Sequence, residues 1–129
     1  MYEFIYKHQI TISHYMSVDY DTDGSENHGH VLTVGFKFAS MRLNAYNMVF
    51  DEDILKKIVS KLDGKNFNAF MRKNTMSGNA TIENMITYLK TQVLLALDKF
   101  NTQYNTDVML RNITVKDERG CEYVYHYSK

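Results

Sequence analysis

Three histidines are the residues of this sequence whose types and spacing could do chemistry: His28 and His30, which flank Gly29, and His14 upstream. If His28 and His30 lie on a β-strand, their side chains share one face, because side-chain direction repeats every two residues. With a third imidazole from a neighbouring strand, they would offer three nitrogens to a metal and leave one coordination position open. That is the pattern of catalytic rather than structural zinc. The His-x-His spacing is common among ordinary histidines, so the surrounding elements have to decide.

The composition is that of an ordinary globular protein with a single domain over residues 1–129. Hydrophobic residues make up 44% and charged residues 23% of the chain, which is enough for one core. The 15 basic and 15 acidic side chains cancel to a net charge of zero. Nucleic acids and anionic membranes usually require a basic surplus, so we expect neither as a partner.

The compartment predicted from the sequence is the cytoplasm. Cys121 is the one cysteine, so neither an intrachain disulfide nor a cysteine-based zinc site can form. The first residues, 1–4, are not a basic segment followed by an apolar run, so no signal peptide is predicted. The longest apolar run, 93–97, is too short to span a bilayer.

Alternating apolar residues predict two strands that would carry the histidines. The first covers residues 2–12 and places His14 just past its end. A polar, glycine-containing stretch over 17–27 is typical of a loop. The second strand covers about 28–38, and both members of the His-Gly-His pair share the parity of its apolar residues. An inward-facing pair of imidazoles needs a partner, and a metal is one candidate.

The remaining segments predict two helices and a final hairpin. Apolar stripes with helical spacing cover 51–61 and 81–100, and residues 63–79 between them form an irregular connection. Two strands follow over about 108–117 and 121–127. The fold class is therefore α+β, with the element order ββααββ and a four-stranded antiparallel sheet covered by two helices on one face. The unpaired edges of such a sheet favour a homo-oligomer.

Six short motifs follow one another on the elements where a known family carries them. In chain order they are Ser13-His14, His28-Gly29-His30, Asn47 to Asp51, Leu62-Asp63 with Asn66 to Asn68, Thr81-Ile82-Glu83-Asn84, and Val115 to Glu118. On these motifs the sequence resembles the 6-pyruvoyl-tetrahydropterin synthase and 6-carboxytetrahydropterin synthase family, over nearly its whole length. This family has the tunnelling fold, or T-fold.

The resemblance implies a zinc-dependent lyase that acts on the side chain of 7,8-dihydroneopterin triphosphate, on a pathway to tetrahydrobiopterin, queuosine or folate. His14, His28 and His30 would hold Zn²⁺, which would polarise the side-chain hydroxyls and acidify the adjacent C–H bonds. Thr81 and Glu83 would belong to the substrate-binding segment. The resemblance also implies a homo-oligomer in which trimers stack into hexamers, with active sites between subunits.

The resemblance further implies that an acidic residue near the end of the third long predicted strand anchors the pterin ring, since a carboxylate accepts two parallel N–H bonds from its guanidine-like edge. Asp117 shares the parity of Ile113 and Val115 and is slightly favoured for this role. The register that decides cannot be fixed from sequence, so Glu118 stays open as the alternative. Either residue could also simply flank a hairpin turn.

The sequence departs from the family at the proton-transfer groups. The family's cysteine base falls at Gly24, or at Ser25 with a gap of about one residue, and a free serine hydroxyl is a poor base near neutral pH. The family's Asp-His pair is here Asp63-Gly64. Asp63 is thus kept as a candidate catalytic residue, while the histidine that would shuttle a proton is absent.

Glu26 is the visible substitute for the missing base. A variant branch of the family uses a glutamate near this place to cleave the same substrate's side chain, giving 6-hydroxymethyl-dihydropterin for folate synthesis. Glu26 is either that base, with a pKa matched to the task, or a solvated loop carboxylate. A third interpretation is a catalytically inactive T-fold protein that binds a pterin or purine, or serves only as an oligomeric module.

Overall fold

The computed structural model describes residues 1–16 and 26–128. Within these ranges the chain forms five strands and three helices. In chain order they are β1 (Tyr2–His14), β2 (His28–Ser40), α1 (Glu52–Ser60), β3 (Lys65–Asn66), α2 (Phe67–Lys73), α3 (Ile82–Tyr104), β4 (Met109–Asp117) and β5 (Glu122–His126). None of the helices in these ranges is long and apolar enough to cross a membrane. Most of the predicted loop at 17–27 lies outside the described residues, and so do Gly24 and Ser25.

The described strands belong to one sheet in the order β3-β1-β2-β4-β5. Strands β1, β2, β4 and β5 are antiparallel neighbours, whereas the short β3 pairs with β1 in parallel. The helices pack against one face of this sheet, and the strand residues on that face are more buried than their neighbours in the chain. The predicted α+β class is confirmed, and the four predicted strands and two predicted helices are all present.

The predicted sheet of four strands with two helices is nevertheless incomplete, because 63–79 is not an irregular connection. It contains β3, which pairs with Ile12 and Ser13, and helix α2. The Asn66 side chain begins α2 by accepting a hydrogen bond from the Ala69 N–H at 3.0 Å. Elements of two and seven residues are too short for an apolar period to show in the sequence. The element order is therefore ββαβααββ.

Strand β1 also runs further than predicted, which changes where His14 lies. His14 is the last residue of β1, not a residue past its end, and it pairs with His28 across the β1–β2 ladder. The even-numbered residues of β1 point to the helices, and Ile10 and Ile12 are buried there. The same face of β2 carries His28 and His30 ahead of its apolar residues. The three histidines therefore continue the core face at the end of the ladder.

Helix α3 closes the core and reaches the histidines at its start. Its buried stripe packs against the apolar face of the sheet and consists of Ile82, Met85, Ile86, Leu89, Val93, Leu97 and Phe100. Thr81 caps the helix, since its Oγ1 accepts a hydrogen bond from the Asn84 N–H at 3.1 Å. The preceding residue, Ala80, is buried and its carbonyl oxygen contacts His14. The cap thus fixes the helix next to a candidate metal ligand.

Replacing Thr81 by alanine should lower the free energy of unfolding by about 1 kcal/mol, because the Asn84 N–H loses its acceptor. Thr81→Ser is the matched control, since it keeps the hydroxyl and should unfold close to the wild type. Urea unfolding followed by circular dichroism measures both variants. Equal unfolding midpoints for Thr81→Ala and the wild type would show that this cap does not stabilise the fold.

Candidate metal centre

The three predicted metal ligands come together at the end of the β1–β2 ladder. His14 pairs directly with His28, and His30 follows on the same face of β2. The ring centroids lie 4.5 Å (His14–His28), 5.1 Å (His14–His30) and 4.9 Å (His28–His30) apart. One nitrogen from each ring lies within 4.8 Å of the other two. The structure therefore brings together three imidazoles that could hold one metal ion.

Two of the rings are oriented by backbone carbonyl groups. His14 Nδ1 lies 2.5 Å from the Ala80 carbonyl oxygen. His28 Nδ1 lies 2.8 Å from the Glu26 carbonyl oxygen. A carbonyl oxygen can only accept, so Nδ1 must carry the ring proton, and in a neutral imidazole the Nε2 lone pair is then free. Both rings thus present Nε2 as the ligand atom.

Glu118 orients the third ring. Its Oε1 accepts a hydrogen bond from His30 Nδ1 at 2.8 Å, and its Oε2 accepts one from the Val31 N–H at 3.1 Å. The pKa of the Glu118 carboxyl is held below its usual range by hydrogen bonds from its own backbone N–H, His30 and Val31, against the effect of partial burial. A carboxylate behind a ligating histidine fixes the tautomer and the direction of the ring. The structure thus places Glu118 behind a candidate metal ligand, and its role as a ring anchor stays a prediction.

The surroundings of His14 Nε2 show whether a metal ion fits the site. It is buried and has no hydrogen-bond partner among the residues that the structure describes. Burial lowers the pKa of His14, and neighbouring positive charges, including that of Arg119, lower it further against the hydrogen bond to Ala80. His14 is therefore neutral near pH 7, which is the form that binds a metal. A buried lone pair without a partner, on a neutral imidazole, fits a metal ion.

Asp117, the favoured ring anchor, is bonded within its own turn. Its side chain is 1% exposed and lies on the buried face of β4 with Ile113 and Val115. Oδ1 accepts the backbone N–H groups of Arg119 at 2.9 Å and Cys121 at 3.0 Å. Oδ2 accepts Arg119 Nε at 3.0 Å and Nη2 at 2.7 Å. Both carboxylate oxygens are therefore occupied by protein donors that stabilise the β4–β5 turn.

The other predicted site residues have no hydrogen bond or ion pair from their side chains to the histidines within the described ranges. Thr81 caps α3, and Glu83 is exposed in the first turn of that helix. Asp63 is exposed, and its Oδ1 accepts the Thr11 N–H at 2.9 Å. Glu26 is exposed as well, and it is its backbone carbonyl that holds one of the rings. Their roles in binding or catalysis stay predictions.

Asn66 positions the site and was not expected from the sequence. Its Nδ2 donates to Ser13 Oγ at 3.2 Å and to Asn27 Oδ1 at 2.9 Å. It therefore ties together the residues that precede His14 and His28. Asn66 belongs to one of the motifs on which the family resemblance rests, but nothing in that motif indicates this role. The Ala80 carbonyl that orients His14 could not be predicted either, because every residue has a backbone carbonyl whatever its side chain.

A family model described as 6-pyruvoyl tetrahydropterin synthase matches residues 4–127, which is nearly all of this architecture. The chain belongs to the 6-pyruvoyl tetrahydropterin synthase family. The resemblance predicted from the motifs is thereby confirmed. The T-fold that it implied is confirmed by solved structures of the family.

These solved structures share the fold at low sequence identity. The 6-pyruvoyl tetrahydropterin synthase of Caenorhabditis elegans superposes with a TM-score of 0.64 at 16% identity, over 98% of this chain and 96% of that chain. The Plasmodium vivax protein superposes with a TM-score of 0.66 at 12% identity, over 99% and 98%. A Plasmodium vivax variant with alanine in place of a catalytic glutamate superposes with a TM-score of 0.66 at 13% identity, over the same shares. No curated protein sequence is significantly similar to this chain.

Replacing Glu118 by glutamine should weaken zinc binding by about 10- to 100-fold, because His30 loses the charged acceptor that orients it. The matched control is Glu122→Gln, which changes an exposed glutamate on β5 and should bind zinc as the wild type does. Competition with a chromophoric chelator measures both affinities. A Glu118→Gln variant with the wild-type affinity would contradict this positioning role.

Proposed function

We propose that this chain is a zinc-dependent pterin enzyme of the 6-pyruvoyl tetrahydropterin synthase type, a lyase acting on the side chain of 7,8-dihydroneopterin triphosphate. The observation that carries the proposal is the buried Nε2 of His14, which has no partner within the described residues and lies beside two further imidazoles. Membership of the family supplies the pterin substrate class. Imidazole nitrogens suit zinc, and three of them leave one position open for a substrate oxygen.

Zinc at this site would act as a Lewis acid, polarising the hydroxyl oxygens of the pterin side chain and acidifying the neighbouring C–H bonds. The residues of the chain keep the three candidate metal ligands, His14, His28 and His30, in the orientation that binds an ion. The carbonyls of Ala80 and Glu26 and the carboxylate of Glu118 keep a proton on each Nδ1, so that the three Nε2 lone pairs stay available. Such preorganisation lets binding free energy go into placing the substrate rather than into ordering the ligands.

Glu26 is our first candidate for the group that removes the proton. Its backbone carbonyl accepts from His28 Nδ1, so the residue is held next to the ligand set while its side chain is exposed. A carboxylate within reach of the substrate can take a proton from an acidified C–H bond. The Plasmodium vivax relative with a catalytic glutamate supports a carboxylate in this role. The alternatives, Gly24 and Ser25, offer no group of comparable basicity.

The second candidate function is the glutamate-dependent cleavage of the side chain to 6-hydroxymethyl-dihydropterin, on the way to folate. Glu26 supports it as the base. An inactive pterin-binding protein is supported instead by Gly64, because this residue stands where the family carries a proton-shuttling histidine. Its φ of 72° is one that a residue with a side chain adopts only with strain. Asp63 beside it accepts a hydrogen bond from the Thr11 N–H, and we place its catalytic role in the homo-oligomer, in which the resemblance places active sites between subunits. If no carboxylate transfers protons, the protein is an inactive pterin-binding T-fold.

Incubation of the zinc-loaded protein with 7,8-dihydroneopterin triphosphate, followed by identification of the product, tests these functions. A pyruvoyl product indicates the route to tetrahydrobiopterin, a carboxy product the route to queuosine, and a hydroxymethyl product the route to folate. The purified protein should contain zinc, and His14→Ala should lose it. The zinc assignment would be overturned if the purified wild-type protein contained no zinc, or if His14→Ala had the same metal content as the wild type. A zinc protein without turnover would support the inactive binder.

Glu26→Gln should lower turnover by about 100- to 10,000-fold, because glutamine cannot accept the proton. Its zinc content should stay that of the wild type, because the backbone carbonyl that holds His28 is retained. Glu52→Gln, at an exposed position in the first turn of α1, is the matched control and should keep full turnover. Full turnover in Glu26→Gln would remove Glu26 from the mechanism.

We further propose a homo-oligomer built from trimers, with a hexamer as the complete assembly. The face of the sheet opposite the helices supports it, because Ile5, Val31 and Val124 are 57%, 38% and 44% exposed there. Exposed apolar side chains on neighbouring strands favour contact with another subunit. Ile5→Glu should shift the molar mass towards smaller species in light scattering after size exclusion, whereas Lys7→Gln on the same face should not. A wild-type monomer would contradict the proposal.

A further inference from the structure

Tyr15 is the first residue beyond the β1–β2 ladder, and a side chain takes the place of a strand partner for its backbone. The last pair of the ladder is His14 with His28. One residue further, the Asn68 carboxamide bonds both backbone groups of Tyr15: its Oδ1 accepts from the N–H and its Nδ2 donates to the carbonyl oxygen, each at 2.9 Å. A paired strand residue offers the same combination of acceptor and donor. Asn68 therefore fixes the backbone directly after His14.

Asn66 holds the other strand at the same end of the ladder. In the antiparallel register, Asn27 is the next residue opposite Tyr15. Its Oδ1 accepts a hydrogen bond from Asn66 Nδ2 at 2.9 Å. The same nitrogen donates to Ser13 Oγ on β1 at 3.2 Å. The two asparagines thus hold both strands at the point where their pairing stops.

Both asparagines lie at the start of helix α2, which the core keeps in place. Phe67 and Met71 of this helix are 1% and 4% exposed and belong to the hydrophobic core. Asn66 caps the helix through the hydrogen bond from the Ala69 N–H. A helix of seven residues has little stability of its own, so its packing fixes its position. Through α2, the core therefore holds the backbone on either side of His14.

The end of a ladder is where two strands separate most easily, because the last pair has neighbours on one side only. Here the last pair consists of two candidate metal ligands, His14 and His28. Opening this pair would move one ring away from the other, and the three nitrogens could no longer meet one ion. A contact that keeps this end closed therefore bears directly on metal binding.

We propose that Asn68 is a positioning residue of the candidate metal centre, which keeps the ladder closed at His14 and thereby slows the release of the ion. The inference rests on the proposed function for the presence of zinc. The hydrogen bonds of the Asn68 side chain within the described residues go to Tyr15, so it acts through the backbone. Arg72 adds a third contact from α2, since its Nη1 donates to the Tyr15 hydroxyl at 3.2 Å.

Zinc release and hydrogen exchange test this role in the full-length protein. Asn68→Leu keeps the approximate shape of the side chain and has a higher helix propensity, but it loses both hydrogen bonds to Tyr15. Its release of zinc to an excess of a chromophoric chelator should be about 10-fold faster than in the wild type. In the metal-free protein, a peptide that covers residues 11–16 should take up deuterium faster, because the Tyr15 N–H loses its acceptor.

Asn74→Leu is the matched control, because it is the same substitution on the same helix. Asn74 Nδ2 donates to the Phe70 carbonyl oxygen at 2.9 Å, a contact that does not involve the ladder. This variant should release zinc at the wild-type rate. Asn66→Ser keeps an oxygen that can cap α2 but is too short to reach Asn27. It should release zinc faster, as Asn68→Leu does.

A wild-type rate of zinc release in Asn68→Leu would overturn the proposal. Equally fast release in Asn74→Leu would overturn it too, because the effect would then belong to the stability of α2 as a whole. Circular dichroism shows whether Asn68→Leu folds; if it does not, the same two measurements on Asn66→Ser decide.

A failure of the proposed function has a different signature. A wild-type protein that binds no zinc would overturn both the proposed function and this role. A zinc protein without turnover would overturn the proposed activity alone, because the rates of zinc release and of deuterium uptake can still be compared between the variants.

Discussion

The antiparallel register of β1 against β2 is the constraint on which the site depends. It sets His14 opposite His28, and the period of two then puts His30 on the same face. A slip of one residue would turn β1 over, so that Ile10 and Ile12 would leave the core together with the histidine. The burial of apolar side chains therefore maintains the spacing of the three rings, and the ligand set takes its geometry from the core.

The same alternation explains how much could be predicted. Long elements with a clear apolar period, such as β1, β2 and α3, could be predicted from the sequence. The α+β class and the grouping of the histidines followed from them. Helix α2 and strand β3 could not be predicted, because segments of seven and two residues are too short to show a period. The stretch that carries Gly24 and Ser25 lies outside the described residues, so the identity of the base is still a proposal.

The two neighbouring carboxylates of the last turn show where sequence reasoning ends. Parity indicated that Asp117 points inward, which agrees with its burial on the face of Ile113 and Val115. Parity could not show that the inward position is filled by donors of the turn itself. Nor could it show that Glu118 reaches back to His30, because such a contact depends on the turn geometry and on a partner 88 residues away. Local patterns place side chains on faces, whereas tertiary contacts decide their roles.

The distance along the chain between the rings and their acceptors has a consequence for the order of folding. His14 and Ala80 are 66 residues apart, and His30 and Glu118 are 88 residues apart. Strands β1 and β2 are close in sequence and can pair early, but the rings of His14 and His30 lack their acceptors until α3 and the last hairpin have docked. Contacts that close long loops form late, because their entropic cost comes first. If the site binds a metal, an ion that arrived before that point would meet two imidazoles whose direction is not yet fixed.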